Sequence, residues 1–231
     1  HFLKGEANGW ERQPRVLLQV RHVDRFSERH ENEWPIARTH WTRLYPQADG
    51  TLGREPPTQA ATLTFDALGE GLTFVSAPLG GDTEITGPLA VRLHVSSSTT
   101  DADLFLVFRV FTPDLREVVF MGAIDPHTPI AQGWLRASHR KLDPALSTEW
   151  RPYHTHDEAQ PLRPNEIVPL DIELWPTSIV VPEGHRLALT VRGRDYEFAK
   201  STGARLSNFK NELRGCGPFL HDDPRDRPKD V

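Results

Sequence analysis

Thiols are almost absent from this 231-residue chain, which holds a single cysteine, Cys216. An internal disulfide framework and a multi-cysteine zinc site are excluded. Such usage fits a reducing cytoplasm best. No apolar run approaches the ~20 residues of a membrane-spanning helix, and no signal peptide is visible. Basic residues are in deficit, with 27 Lys and Arg against 32 Asp and Glu for a net charge of -5. The two signs are interleaved, so the basic stripe that a nucleic-acid partner needs is missing. Helical periodicity is scarce as well. Parallel α/β architecture needs helices of roughly 10–15 residues between its strands, and none is visible. Apolar residues make up only 37% of the chain. They gather in runs such as Val16-Leu17-Leu18, Leu104-Phe105-Leu106-Val107 and Leu187-Ala188-Leu189, which is enough to build a core.

Punctuation is plentiful: 20 prolines and 16 glycines. Between them lie short β-branched and aromatic runs, the pattern of many short strands. Strands are expected over residues 14–22, 59–65, 72–76, 89–96, 103–111, 117–123, 167–174 and 185–191, with an apolar patch at 41–45. The clearest is 89–96, where Leu89, Val91, Leu93 and Val95 alternate with Ala90, Arg92, His94 and Ser96, the period of two of a half-buried strand. Phe2-Leu3-Lys4-Gly5 reads as the end of a helix with Gly5 as its stop. Residues 133–142 have mixed periodicity and receive no state. Residues 221–230 are charged and broken by proline, as in a surface loop or disordered tail. The expected class is all-β: a jelly-roll β-sandwich with few short helices.

The search for chemistry yields little. No G-x-S-x-G elbow of an α/β-hydrolase nucleophile occurs. Ser96-Ser97-Ser98 lacks flanking glycines and reads as a polar strand end. His154-Thr155-His156-Asp157 sets two imidazoles at i and i+2, which on a strand would share a face and could ligate a metal with Asp157. Without a partner motif, a hydrogen-bonded loop is the expected state. Asp101 and Asp103 offer oxygen ligands for calcium, weighed against a turn cap or an arginine partner. Paired carboxylates for glycoside hydrolysis would have to face each other across a cleft, which a sequence does not show. The six tryptophans, Trp10, Trp34, Trp41, Trp134, Trp150 and Trp175, would stack on sugars if exposed. Core filling and packing against another domain is the expected use. Cys216, between two glycines, has no base beside it.

Several segments together resemble the C-terminal domain of the CocE/NonD hydrolases, the group of cocaine esterase and the X-Pro dipeptidyl-peptidases. His1-Phe2-Leu3-Lys4-Gly5, Asn8-Gly9-Trp10 and Pro14-Arg15-Val16 resemble the exit from the catalytic domain. Glu33-Trp34-Pro35 and Trp41-Thr42-Arg43-Leu44-Tyr45 resemble the start of the C-terminal one. Gly87-Pro88-Leu89, Asp101-Ala102-Asp103-Leu104, Gly133-Trp134-Leu135-Arg136-Ala137-Ser138 and Pro182-Glu183-Gly184-His185-Arg186-Leu187 resemble its later landmarks.

The resemblance implies a jelly roll, similar to galactose-binding-like sandwiches, packed in cis on an α/β-hydrolase domain. The whole enzyme would cleave esters, amides or X-Pro peptides. Residues 1–12 would be the tail of that upstream domain and a linker, and 13–231 the sandwich. The family's nucleophile, acid and histidine lie upstream, so no catalytic residue is assigned here, and His1 is not a triad histidine. No cofactor and no metal are assigned. Members run past the segment resembling Gly217-Pro218-Phe219-Leu220-His221 by one or two strands, so the sandwich is expected to lack its last strands. An exposed sheet edge would follow, open to self-association into a homo-oligomer.

Three functions are open to such a chain. The leading one is a non-catalytic docking module that helps shape a hydrolase's substrate cleft. The second is a carbohydrate- or other ligand-binding module. The third, direct catalysis, needs a serine or cysteine within reach of a histidine and a carboxylate.

Overall fold

The computed structural model describes residues 1–122 and 127–198. Ten strands follow in chain order: β1 (Val16–Arg21), β2 (Phe26–Glu31), β3 (Tyr45–Pro46), β4 (Leu52–Gly53), β5 (Leu72–Val75), β6 (Thr83–Val95), β7 (Asp103–Phe111), β8 (Ala131–Arg136), β9 (Val168–Val181) and β10 (Arg186–Arg192). Among the described residues two 3-10 turns, Trp10–Arg12 and Ala137–His139, are the helical elements. Two four-stranded sheets, ordered β2-β1-β9-β6 and β5-β10-β7-β8, make the sandwich; β3 and β4 form a small separate ribbon. The all-β expectation holds.

Alternation explains the core. Leu104, Leu106, Phe108 and Val110 of β7 point inward, as do Leu187, Leu189 and Val191 of β10. They meet Val168, Leu170, Ile172 and Leu174 from β9. The other face of β7 is partly polar. There Arg109 donates to both oxygens of Glu117 at 2.8 and 2.6 Å and to Thr190 at 3.2 Å. This bidentate pairing satisfies a charge inside a strand that is apolar from Leu104 to Phe111 apart from Arg109.

β6 and β9 run longer than expected because each carries its proline through a bulge. Thr177 pairs with Gly87 and Leu174 with Leu89. Trp175 and Pro176 therefore stand opposite Pro88 alone, two residues against one. A bulge leaves its extra residue unpaired, so proline is tolerated there. It also shifts the phase of β9: Leu170, Ile172 and Leu174 point inward before it, Thr177, Ile179 and Val181 after it, and Trp175 and Pro176 are both exposed.

Other expectations are corrected. Residues 59–65 form no strand; their alternation finds no neighbour in either sheet. The expected strand at 117–123 is reduced to isolated bridges, Phe111 to Glu117 and Phe120 to Thr128. The unassigned stretch 133–142 holds most of β8 and the second 3-10 turn. β2 gave no signal because its sequence, FSERHE, is largely polar. It exists as the edge partner of β1, from Val16 opposite Glu31 to Arg21 opposite Phe26, and charged side chains are usual on an edge. The expected helix end is present as one turn: Gly5 N–H donates to the His1 carbonyl at 2.8 Å, with Gly5 at φ 67. The expected tail at 221–230 and the expected loss of last strands concern residues outside the described ones.

The sheets approach most closely where β8 crosses β9. A Cβ on Gly133 would lie 2.0 Å from the Glu173 carbonyl oxygen and 2.9 Å from the Leu174 Cα. Both neighbours are backbone in a paired strand, so neither yields cheaply. Gly133→Ala gains only ~0.4–1 kcal/mol from a stiffer unfolded chain, whereas overpacking costs ~1–3 kcal/mol or more. A net loss of roughly 2 kcal/mol or more is expected, read as a lower urea midpoint at unchanged slope. An unchanged midpoint would refute the close contact.

Candidate functional site

The two four-stranded sheets are offset rather than stacked strand on strand. β8 is the edge of its sheet and lies across β9, so the inner faces of β1 and β2 continue past it with no described strand opposite them. Arg21 pairs in parallel with the inward Ile179 and donates to Thr177 Oγ1, which places it on the inner side. Leu17 and Gln19 share that face by alternation, and Phe26 joins them opposite Arg21. Leu17 and Phe26 are 52% and 59% exposed. These are core-type positions with no opposing sheet.

A cleft of about 730 Å³ opens where this overhang meets the β8–β9 crossing, lined among others by Arg21, Ile130, Trp134, Trp175, Pro176 and Thr177. Trp134 sits beside Gly133 on β8 and Trp175 on the bulge of β9. Their rings lie 5.3 Å apart and are tilted by 56°. They form a wedge, and both are more than half exposed, at 52% and 62%.

Arg21 is the cleft's distinctive charge. Its Nη2 donates to the Ile130 carbonyl at 2.9 Å and to Thr177 Oγ1. The guanidinium lies 4.8 Å from the Phe120 ring centre, a cation–π arrangement. No carboxylate among the described residues pairs with it. Burial accordingly lowers its pKa from the usual arginine value. Nearby, by contrast, Arg136 grips both oxygens of Asp103 at 2.7 and 2.9 Å.

The residues singled out in the sequence fall as follows. The Asp101 side chain accepts the Ala102 and Ser138 backbone N–H groups, each at 2.9 Å, while Asp103 faces Arg136. The two carboxylates act as turn cap and ion-pair partner. Ser97 Oγ bonds Thr99 and the Asp101 carbonyl, as suits a strand end.

His154 and His156 lie 6.0 Å apart between ring centres, and His139 lies 5.5 Å from His156. This third histidine was not foreseen, because it comes from a separate turn. Asp157 turns away to Thr155 and Lys141. Among the described residues no group of three or more His, Cys, Asp or Glu is placed to hold a metal, and no helix is long and apolar enough to cross a membrane. Cys216 lies outside the described residues.

Core filling by tryptophan is overturned. Trp10, Trp34, Trp41, Trp134 and Trp175 are exposed, and Trp150 stacks on Trp41 with centres 4.4 Å apart and planes within 15°. The narrow space between the sheets is filled by Leu, Ile, Val, Phe and Ala, which bring no side-chain N–H in need of a partner. Arg21 carries no signal in the sequence beyond its place in the expected strand 14–22. The signal for the bulge was the Trp175-Pro176 pair interrupting a strand.

Residues 8–210 match the family model of the X-Pro dipeptidyl-peptidase C-terminal non-catalytic domain. A Streptomyces avermitilis protein named as an Xaa-Pro dipeptidyl-peptidase is 29% identical over 232 residues, covering 84% of this chain and 34% of that protein. A Mycobacterium bovis protein named as a serine esterase is 34% identical over 156 residues, covering 64% of this chain and 21% of that protein. The crystal structure of a CocE/NonD family hydrolase from Staphylococcus aureus superposes with a TM-score of 0.81 at 28% identity, covering 96% of this chain and 39% of that one. The chain thus spans about a fifth to two fifths of the length of these relatives.

The histidine cluster gives a pH dependence. Burial, and then the charge of His156, lowers the His154 pKa from its ordinary 6.5. A folded-state value below the unfolded one means that the unfolded chain takes up the proton first as pH falls. The contribution is full above pH 6.5 and declines as pH drops toward the folded value. Urea midpoints at pH 7.5 and 5.5 should show a loss on acidification that His154→Gln reduces. An equal loss in both proteins would dismiss the effect.

Proposed function

This chain belongs to the X-Pro dipeptidyl-peptidase C-terminal non-catalytic domain family, and from that premise we propose that it packs in cis on an α/β-hydrolase catalytic domain and helps shape the substrate cleft there. The observation that carries this reading is the overhang. Leu17 and Phe26 occupy the inward face of a sheet yet are exposed. An isolated apolar side chain at a surface is ordinary, but a sheet's core face left uncovered marks an interaction surface. An interdomain contact would complete it.

Residues 1–12 fit the tail and linker from that domain: none of their side chains is buried, and the chain enters β1 directly beside the overhang. The reaction of the whole enzyme would be serine hydrolysis of esters, amides or X-Pro peptides, with nucleophile, acid and base all on the partner domain. The interleaved charges and net charge of -5 support a partner other than nucleic acid, and the single cysteine supports a cytoplasmic setting.

Titration of this chain with the separately produced hydrolase domain of the same polypeptide, followed by calorimetry, tests the reading. Phe26→Asp and Leu17→Asp should each weaken binding by about tenfold or more, the ~1.4 kcal/mol expected for a lost apolar anchor. Their urea midpoints should stay near that of the unsubstituted chain, because both sites are exposed. Absence of binding, or full binding by both variants, would end this proposal.

A further inference from the structure

The cleft, which adjoins the docking face at Gln19 and Arg21, itself has the makings of a ligand site. Its volume, about 730 Å³, is within the range of pockets that hold small organic molecules. Two indole rings form a wedge on one side, and Pro176 and Ile130 add apolar wall. On the other side stands Arg21, with a single nitrogen, Nη2, engaged by protein acceptors. Its Nε and Nη1 have no protein partner among the described residues. A half-buried guanidinium with no carboxylate is costly unless an anion completes it.

We propose that the cleft binds an organic carboxylate, its anionic group on Arg21 and its apolar or planar body packed against the Trp134–Trp175 pair. The bonds to Ile130 and Thr177 hold Arg21 in place before the ligand arrives, so little side-chain freedom is lost on binding. Asp103 and Asp195 also line the cleft. Asp103 is already met by Arg136 at both oxygens, so the charge offered to a ligand is the single one of Arg21, and a singly charged carboxylate matches it. An apolar ring can slot against either indole, whereas the tilt of 56° gives an extended sugar no flat platform. The carboxylate can be that of a free aryl or alkyl acid or the C-terminus of a short apolar peptide.

The test uses the 231-residue chain alone, so its outcome is independent of whether a hydrolase domain docks. Calorimetry and ligand-observed NMR would be run with 3-phenylpropanoate, with N-acetyl-alanyl-phenylalanine, and with the neutral amide of each. Both carboxylates or one of them should bind saturably at millimolar concentration or below, and which one binds separates free acids from peptide ends. The matching amide should bind roughly tenfold weaker or worse, as expected for loss of a charge-assisted hydrogen bond. Because the ligand is changed and the protein is not, this comparison carries no folding artefact. Trp175→Ala, at an exposed position, should also weaken carboxylate binding while the urea midpoint holds. The proposal is overturned if neither carboxylate binds, if amides bind equally well, or if Trp175→Ala binds as before.

Discussion

The closeness of two backbones governs this molecule. At Gly133 a strand of the second sheet comes so near the first that a single methyl group would collide with the Glu173 carbonyl. Ala131 and Leu135, the inward neighbours of Gly133, are buried in the same seam. Small residues at the crossing let the sheets converge there, while Leu and Ile elsewhere hold them at ordinary separation. Convergence also places Trp134, one residue from Gly133, against Trp175, one residue from Leu174. The ring pair at the cleft is a by-product of the close crossing of β8 and β9.

The bulge is the second device. Without the extra residue, β9 would keep one phase along its length. With it, Trp175 and Pro176 both turn outward and the strand resumes pairing with β6 on the far side. Strand continuity keeps the core sealed, and the local irregularity supplies the surface feature. Bulges beside binding sites commonly act in this way. The same strand pairs β1 in parallel only at Arg21 and Ile179. The overhang is thus attached at one end, next to the cleft, and spreads away from it.

Much of the architecture was legible. Strands β1, β5, β7 and β10 follow alternating or continuous apolar runs, and those of β5, β7 and β10 build the core, while no residue of β1 joins it. β2 was invisible because an edge strand draws its stability from its neighbour's backbone and has no need of apolar side chains. Residues 59–65 erred the other way: alternation was present, but no strand lay alongside. Gly-Pro in β6 and Trp-Pro in β9 read as interruptions because a bulge is a relation between two strands, and a single segment shows half of it. The family, too, was legible, through the order of motifs that are each weak alone.

The sequence by itself determined that the chain is an all-β sandwich, that it has no hydrolase elbow, and to which family it belongs. These rest on local periodicity and ordered motifs, which a linear string carries in full. Only the tertiary structure decided that the tryptophans lie outside the core, that His139 joins His154 and His156, and that Arg21 stands over an apolar cleft without a carboxylate. Each of these depends on residues from segments far apart in the chain, and in the case of Arg21 on where one sheet ends relative to the other. Sheet width and stagger are set by pairing across the whole domain, so no local pattern records them.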